Sequence, residues 1–237
     1  MLKHRIIPVL LFNQQLQVVQ TTQFKRPYRN CGSLMQHIEV MESRDVDEII
    51  LLDIDATKEN REPNFEVIKE FASRLFCPVT YGGGISEIND ISKLIQECGV
   101  DKVAIKTNHR LIHGASLKFG SQSIIMCLDC GDNTLETTIN CDAHWYKNEG
   151  AGEILVTSIH CNGTYKGYDL YLLEEITNLN IPVIINGGCG EPSHMIEAIK
   201  AGVSAVAAST MFLHTAHTPK SCARALYEAG VPVRVGG

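Results

Sequence analysis

No stretch of this chain approaches the roughly 20 consecutive apolar residues needed to cross a bilayer, so a membrane span is excluded. No Lys/Arg run offers a basic face, and the formal net charge is -6, which argues against nucleic acid as a partner. A linker is missing too: no Pro-, Gly- or Ser-rich or low-complexity segment divides the sequence, so residues 1–237 are expected to form one domain. Lys3, His4 and Arg5 precede an apolar run at 6–12 in the manner of a signal peptide. That run is short, however, and Asn13-Gln14-Gln15 after it provides no small-residue cleavage site. The segment reads as the first strand of a cytoplasmic protein. The nine cysteines are scattered and odd in number, which suits free thiols in a reducing compartment.

What is present is an alternation. Eight short, β-branched, nearly all-apolar runs fall at 5–12, 48–53, 78–81, 102–105, 124–128, 153–157, 182–186 and 205–208. Such runs are strands buried on both faces. Between them lie segments with a single apolar stripe at helical spacing. At 33–44 the stripe is Leu34, Ile38 and Met41; at 64–75 it is Phe65, Ile68, Phe71 and Leu75, with Asn64 as N-cap; at 86–98 it is Ile88, Ile91, Leu94 and Ile95. Trp145 and Tyr146 are placed in a further amphipathic helix. Strict β–α alternation with short connectors implies a parallel sheet. Eight units in a chain of 237 residues favour a closed (β/α)8 barrel of the TIM type, α/β in class.

Two loops repeat one another across the halves of that barrel. Pro78-Val79-Thr80-Tyr81-Gly82-Gly83-Gly84-Ile85 and Pro182-Val183-Ile184-Ile185-Asn186-Gly187-Gly188-Cys189-Gly190 each run from a strand into glycines and then a helix. Each helix ends in Gly-Val, and the next strand closes on Lys106-Thr107 or on Ser209-Thr210. Unpaired backbone N–H groups at such a turn hold phosphate. The pattern predicts two phosphate sites, one at Gly83, Gly84, Lys106 and Thr107, the other at Gly187, Gly188, Ser209 and Thr210, joined by Asn162 and Gly163. The ligand is then a phosphorylated small molecule.

Active sites of these barrels lie at the C-terminal strand ends. The polar residues expected there include Asp53, Asp55, Thr80, Asp129, Thr157, Ser158 and Asn186, and Asp53 and Asp129 are equally readable as loop caps. His160 and Cys161 suggest a nucleophile–base pair, but neighbours on a strand point to opposite sides. Cys127-Leu128-Asp129-Cys130 contains a C-x-x-C that Cys141 and His144 would have to complete as a zinc site. No second tight pair exists, so Cys127 is expected to pack inside the barrel and no metal or cofactor is assigned.

These residues together resemble the cyclase subunit of imidazole glycerol phosphate synthase, the HisF family, over essentially the whole chain. The resemblance is carried by Lys3-His4-Arg5-Ile6-Ile7-Pro8, Asp47-Glu48-Ile49-Ile50-Leu51-Leu52-Asp53-Ile54, Gly82-Gly83-Gly84-Ile85, Asp101-Lys102-Val103, Phe119-Gly120-Ser121-Gln122, Gly152 to Ile159, Asn162-Gly163-Thr164 and Gly167-Tyr168-Asp169. It implies a barrel with an internal half-barrel repeat. It also implies a glutaminase partner at the N-terminal barrel face, ammonia passing up the barrel, and two aspartates acting on a bisphosphorylated substrate. Asp129 matches the second of these. The first should stand at Leu11, and 9–13 holds no carboxylate. Gln20 replaces a loop lysine, Lys106 an asparagine, and His160-Cys161-Asn162 the usual Asp-Arg-Asp. The stretch between Asp129 and Gly152 is about a dozen residues shorter than the family's.

The chain is more similar to HisF-like proteins of surface-polysaccharide loci. Leu52 to Ala56, Glu62-Pro63-Asn64, Thr80 to Gly84 and Val203 to Ala208 carry that likeness. It implies delivery of ammonia, together with a glutaminase-like protein, to an ATP-dependent sugar amidotransferase that converts an acetamido to an acetamidino group. An active cyclase in histidine synthesis and a catalytically silent activator of a glutaminase are the alternatives. Whether the chain is itself an enzyme stays open, because Leu11 cannot hold a proton.

Side chains alternate along a strand, and the inward ones fill a barrel in layers. Counting down from Leu11 puts Val9, Ile7 and Arg5 inside. The same parity puts Glu48, Lys102 and Glu153 at the strand starts, facing in. A neutral, mutually paired ring is expected there, with a polar plug as the bland reading and an ammonia gate as the one the resemblance implies. Small Thr80 and Ala104 above it leave room for a channel, and Asp101 faces the partner.

Overall fold

The computed structural model describes residues 3–44, 46–106, 109–131, 148–176 and 181–235. Among these, eight parallel strands pair in sequence and close on themselves. They are β1 (Arg5–Phe12), β4 (Ile49–Asp53), β5 (Val79–Gly82), β6 (Lys102–Ile105), β7 (Ile124–Cys130), β8 (Glu153–Ser158), β9 (Val183–Asn186) and β10 (Ala205–Ala208). β1 closes the barrel by lying between β10 and β4, with Arg5 beside Ala205 and Val9 beside Ile50. The (β/α)8 barrel read from the alternation is therefore the fold.

Alternation along each strand sorts the core into two shells. Ile7, Val9, Leu11, Ile50, Ala104, Ile125, Leu155, Ile184, Ala205 and Ala207 fill the inside. Ile6, Leu10, Phe12, Ile49, Leu51, Tyr81 and Val103 belong to the outer shell, under the helices. Helix α1 (Leu34–Glu42) buries Leu34, Ile38 and Met41, the stripe its sequence shows. Helix α2 (Phe65–Arg74) buries Ile68 and Phe71, and the Asn64 side chain accepts a hydrogen bond from the Val67 N–H. The third helical segment is not uniform. It is α-helical over Ile88–Ser92 (α3) and then widens to a π turn over Lys93–Glu97. The extra residue in that turn keeps both Ile91 and Leu94 fully buried against the barrel.

One element escapes the sequence reading. Between β1 and α1 the chain forms a hairpin, β2 (Gln17–Thr22) and β3 (Lys25–Ser33). β3 is almost wholly exposed and carries no apolar alternation. The turn at Gln23 and Phe24 takes positive φ values of 52° and 57° without a glycine to announce it. The hairpin leaves the barrel where Phe12 pairs with Val18 and folds over the C-terminal mouth.

Trp145, Tyr146, Cys141 and His144 lie outside the described residues, as does Thr107.

Candidate functional site

The N-terminal end of the barrel is closed by charge. Arg5 Nη1 donates to Glu48 Oε2 at 2.7 Å and Arg5 Nη2 to Glu153 Oε2 at 3.1 Å. Lys102 Nζ reaches Glu48 at 3.1 and 3.2 Å and Glu153 at 3.2 Å. Two cations and two anions thus form a closed neutral ring, the arrangement the strand parity requires. Burial lowers the Arg5 pKa, but attraction and hydrogen bonds from Glu153 and Glu48 outweigh it and hold the value above that of an ordinary arginine. Thr80 is not merely a small residue above the ring. Its hydroxyl donates to Glu48 Oε1 at 3.0 Å and is fully buried, because a carboxylate this deep must have all its acceptors met. Asp101 is exposed beside the ring, and its carboxylate accepts from the Val79 N–H at 2.8 Å.

Above the ring runs an apolar column of Ile7, Val9, Ile50, Ala104, Ile125, Leu155, Ile184, Ala205 and Ala207. Its small members lie on β6 and β10, and at Gly82 on β5 the space a side chain would take is filled by Leu52 and Ala104. A Cβ at Gly82 would stand 2.8 Å from Leu52 Cδ2.

The mouth is divided. On the β1–β4 side Leu11, Leu52 and Ile54 meet Val19 and Tyr28 of the hairpin, and Cys127 joins them from β7. On the β6–β9 side Lys106 Nζ lies 2.6 Å from Asp129 Oδ2, and Asn186 Nδ2 donates to Thr157 Oγ1 at 3.2 Å. Asp129 shares the inward parity of Ile125 and Cys127, so the retained aspartate points into the barrel. Burial, reinforced by Asp129, raises the Cys127 thiol far above its ordinary range, so it stays protonated within the wall.

Several expected site residues stand elsewhere. Asp53 has the parity of Ile49 and Leu51 and faces outward. Its carboxylate takes Arg61 at 3.0 and 3.2 Å and the N–H groups of Asp55 and Ala56. It is a loop cap, not a mouth residue. His160 and Cys161 sit in the turn after β8 and not on the strand, so strand parity does not govern them. The Lys106 ammonium pairs with Asp129. Among the described residues no group of three His, Cys, Asp or Glu could hold a metal ion.

The two glycine loops are alike in backbone and unlike in company. Gly83, Gly84, Gly187 and Gly188 all have positive φ. At Gly84 a side chain would strike the Arg61 carbonyl, and the Gly84 N–H donates to Thr57 Oγ1 at 3.0 Å. At Gly188 it would strike the Gly167 carbonyl, and Gly167 N–H in turn donates to the Gly188 carbonyl at 2.9 Å. Asn162 is buried, and its Oδ1 accepts from Thr21 of the hairpin at 2.8 Å. Gly163 follows it in the same turn. Ser209 and Thr210 stand at the end of β10, with Thr210 buried as the first residue of helix Thr210–His214. Thr57, Val19 and Tyr28 were not singled out by sequence. Only the apolar Val18-Val19 pair inside a polar stretch hinted at them.

Comparison with known proteins agrees with this architecture. The family model described as histidine biosynthesis protein matches residues 5–218. A Campylobacter jejuni protein provisionally named imidazole glycerol phosphate synthase subunit hisF2 is 41% identical, covering 99% of this chain and 100% of its own length. Its namesake in Pseudomonas aeruginosa is 37% identical over 90% of this chain and 92% of its own. The imidazole glycerol phosphate synthase subunit HisF of Bacillus cereus is 37% identical over 99% of this chain and 100% of its own. Family model, full-length relatives and closed barrel converge: the chain belongs to the histidine biosynthesis protein family, as a member of its HisF-like branch.

Proposed function

We propose that this chain is the ammonia-conducting barrel subunit of a glutamine-dependent amidotransferase. A glutaminase-like partner docks on the N-terminal face, the four-residue ring gates entry, and ammonia leaves near Lys106 and Asp129. The acceptor is an amino sugar bound for surface polysaccharide, aminated from acetamido to acetamidino by an ATP-dependent partner enzyme. The observation that carries the reading is the contrast at Leu11: the ring and column are complete, while the strand-one end of the mouth is apolar and covered by Val19 and Tyr28. A cyclase needs a proton carrier there, and losing one well-placed acid or base costs about 10²–10⁴-fold. The protein should therefore fail to rescue a bacterium lacking its histidine-pathway cyclase; robust rescue would overturn the reading. With a glutaminase-like partner, Lys102→Met should keep the fold but uncouple glutamine hydrolysis from product formation. Unchanged rates would make the ring a plug.

A second reading, active imidazole glycerol phosphate cyclase, is favoured by inward-facing Asp129 and by the two retained glycine loops. The rescue experiment decides between them. The glycine loops are proposed as phosphate sites in either case.

A further inference from the structure

The hairpin over the mouth differs from the rest of the chain in charge. The protein carries a formal net charge of -6, yet residues 17–33 hold Lys25, Arg26 and Arg29 and no Asp or Glu. All three cations are exposed, the Arg26 side chain at 68%. Lys58, on the turn after β4, adds a fourth. Its ammonium donates to the Tyr28 hydroxyl at 3.2 Å, and the Arg26 guanidinium lies 5.1 Å from the centre of the Tyr28 ring. Phe24, an exposed aromatic, stands at the tip beside them. Tyr28 itself packs inward on the apolar cluster of Leu11 and Val19. One side of the hairpin therefore closes on the barrel, and the other carries cations to solvent.

Charge and proline on a free strand edge can serve only to prevent stray pairing. β3 fits that description, since among the described strands it pairs with β2 alone and it holds Pro27. Two observations go beyond it. An exposed Phe24 does not guard an edge, whereas aromatic and Arg side chains together mark the centres of protein interfaces. The hairpin is also fixed in place, by Thr21 to Asn162 at 2.8 Å, Gln23 to the His160 carbonyl at 3.1 Å and Arg26 to Asp55 at 3.3 Å. A surface held this way costs a partner little ordering on binding. In the conducting role proposed above, on which this inference rests, ammonia leaves at this mouth. Ammonia released into neutral water is protonated and ceases to be a nucleophile, so the enzyme that consumes it must cover the exit. We propose that the hairpin is the docking surface for that enzyme, a protein that presents an acidic patch to Lys25, Arg26, Arg29 and Lys58 and an apolar hollow to Phe24.

Two measurements test it on the full chain. In the first, a spin-labelled peptide of glutamates is titrated in, and amide line broadening maps where the acidic chain settles. Broadening should centre on 24–29 and 58. Lys25→Glu combined with Arg29→Glu should weaken the peptide by about tenfold or more. Lys69→Glu with Lys200→Glu, an equal charge change at exposed helix positions, should weaken it by less than about twofold. Broadening centred elsewhere, or equal weakening by the two pairs, would overturn the assignment. In the second, the chain is combined with its glutaminase-like partner and the ATP-dependent sugar amidotransferase, and glutamine hydrolysed is compared with sugar aminated. Phe24→Ala, and separately the Lys25→Glu, Arg29→Glu pair, should each raise glutamine used per product by about threefold or more while glutamine hydrolysis is unchanged. Efficient transfer that neither variant disturbs would overturn the docking and spare the conducting role. No product with the unaltered chain, together with rescue of the histidine-pathway mutant, would overturn both. Variants that lose inorganic pyrophosphate and keep the enzyme would give the cations to a free anion, and the docking would fall.

Discussion

The two ends of the barrel handle charge in opposite ways. At the N-terminal end Glu48 is 2% exposed and Lys102 16%, and each member of the ring touches two partners of opposite sign. At the mouth the inward-facing pair is Lys106 and Asp129, and Lys106 is 58% exposed. Buried charge is tolerated only as a satisfied set, so removing a member of the ring should cost stability even where the fold survives. An exposed pair is screened and contributes little, so the mouth can open and reform it cheaply. In the conducting role proposed above, the difference gives an ordered entrance and an adaptable exit.

Four measurements would break or sharpen that contrast. Glu48→Ala removes the anion shared by Arg5, Lys102 and Thr80 and should cost about 3 kcal/mol or more in urea unfolding. A loss below about 1 kcal/mol would mean the ring is no more constrained than the mouth. Leu11→Asp puts a carboxylate among Val19, Leu52 and Tyr28 and should cost about 2 kcal/mol for want of a partner. It should not restore cyclase turnover, since Gln20 and the hairpin still occupy the mouth; a revertant with family-like activity would show the apolar plug to be incidental.

An alkaline titration compares the ends through their thiols. Burial pushes Cys77, near the ring, up to about 11, and pushes Cys130, near the mouth, up to about 12 with Asp129 and Asp169 adding. Both folded values lie above the ordinary 9.0, so the stability they confer is complete below pH 9 and is lost as pH climbs from there through the folded values. The unfolding free energy should fall from about pH 9 upward, at up to roughly 1.4 kcal/mol per pH unit for each such thiol. Cys77→Ala and Cys130→Ala should each flatten the slope, and a slope indifferent to both would exclude them as its source. The smallest effect belongs to Lys106→Ala, which should change stability by less than about 1 kcal/mol.

What could be read in advance follows from periodicity. Every barrel strand announced itself as a short apolar run, and the inward parity of Arg5, Glu48, Lys102 and Glu153 needed only a count by twos. The same count places Asp53 outside, since it shares parity with Ile49 and Leu51; proximity to a strand end obscured it. The hairpin was illegible for a physical reason. β3 lies on solvent and needs no apolar face, and its turn takes left-handed φ at Gln23 and Phe24. Contacts such as Gly84 to Thr57 depend on loop paths that no local pattern encodes.

The hairpin has a bearing on how the molecule is assembled. Its residues bond loops from both halves: Thr21 reaches Asn162 across 141 positions, Gln23 reaches His160 across 137, and Arg26 reaches Asp55 across 29. An early segment therefore waits for a late one. During synthesis β1 to β7 can pair in order, but the hairpin cannot settle until the turn after β8 has emerged. Contacts this distant in sequence slow the final step. They also stitch together two half-barrels that the repeated glycine loops mark as copies, so a second half expressed alone would present buried Asn162 without its Thr21 donor.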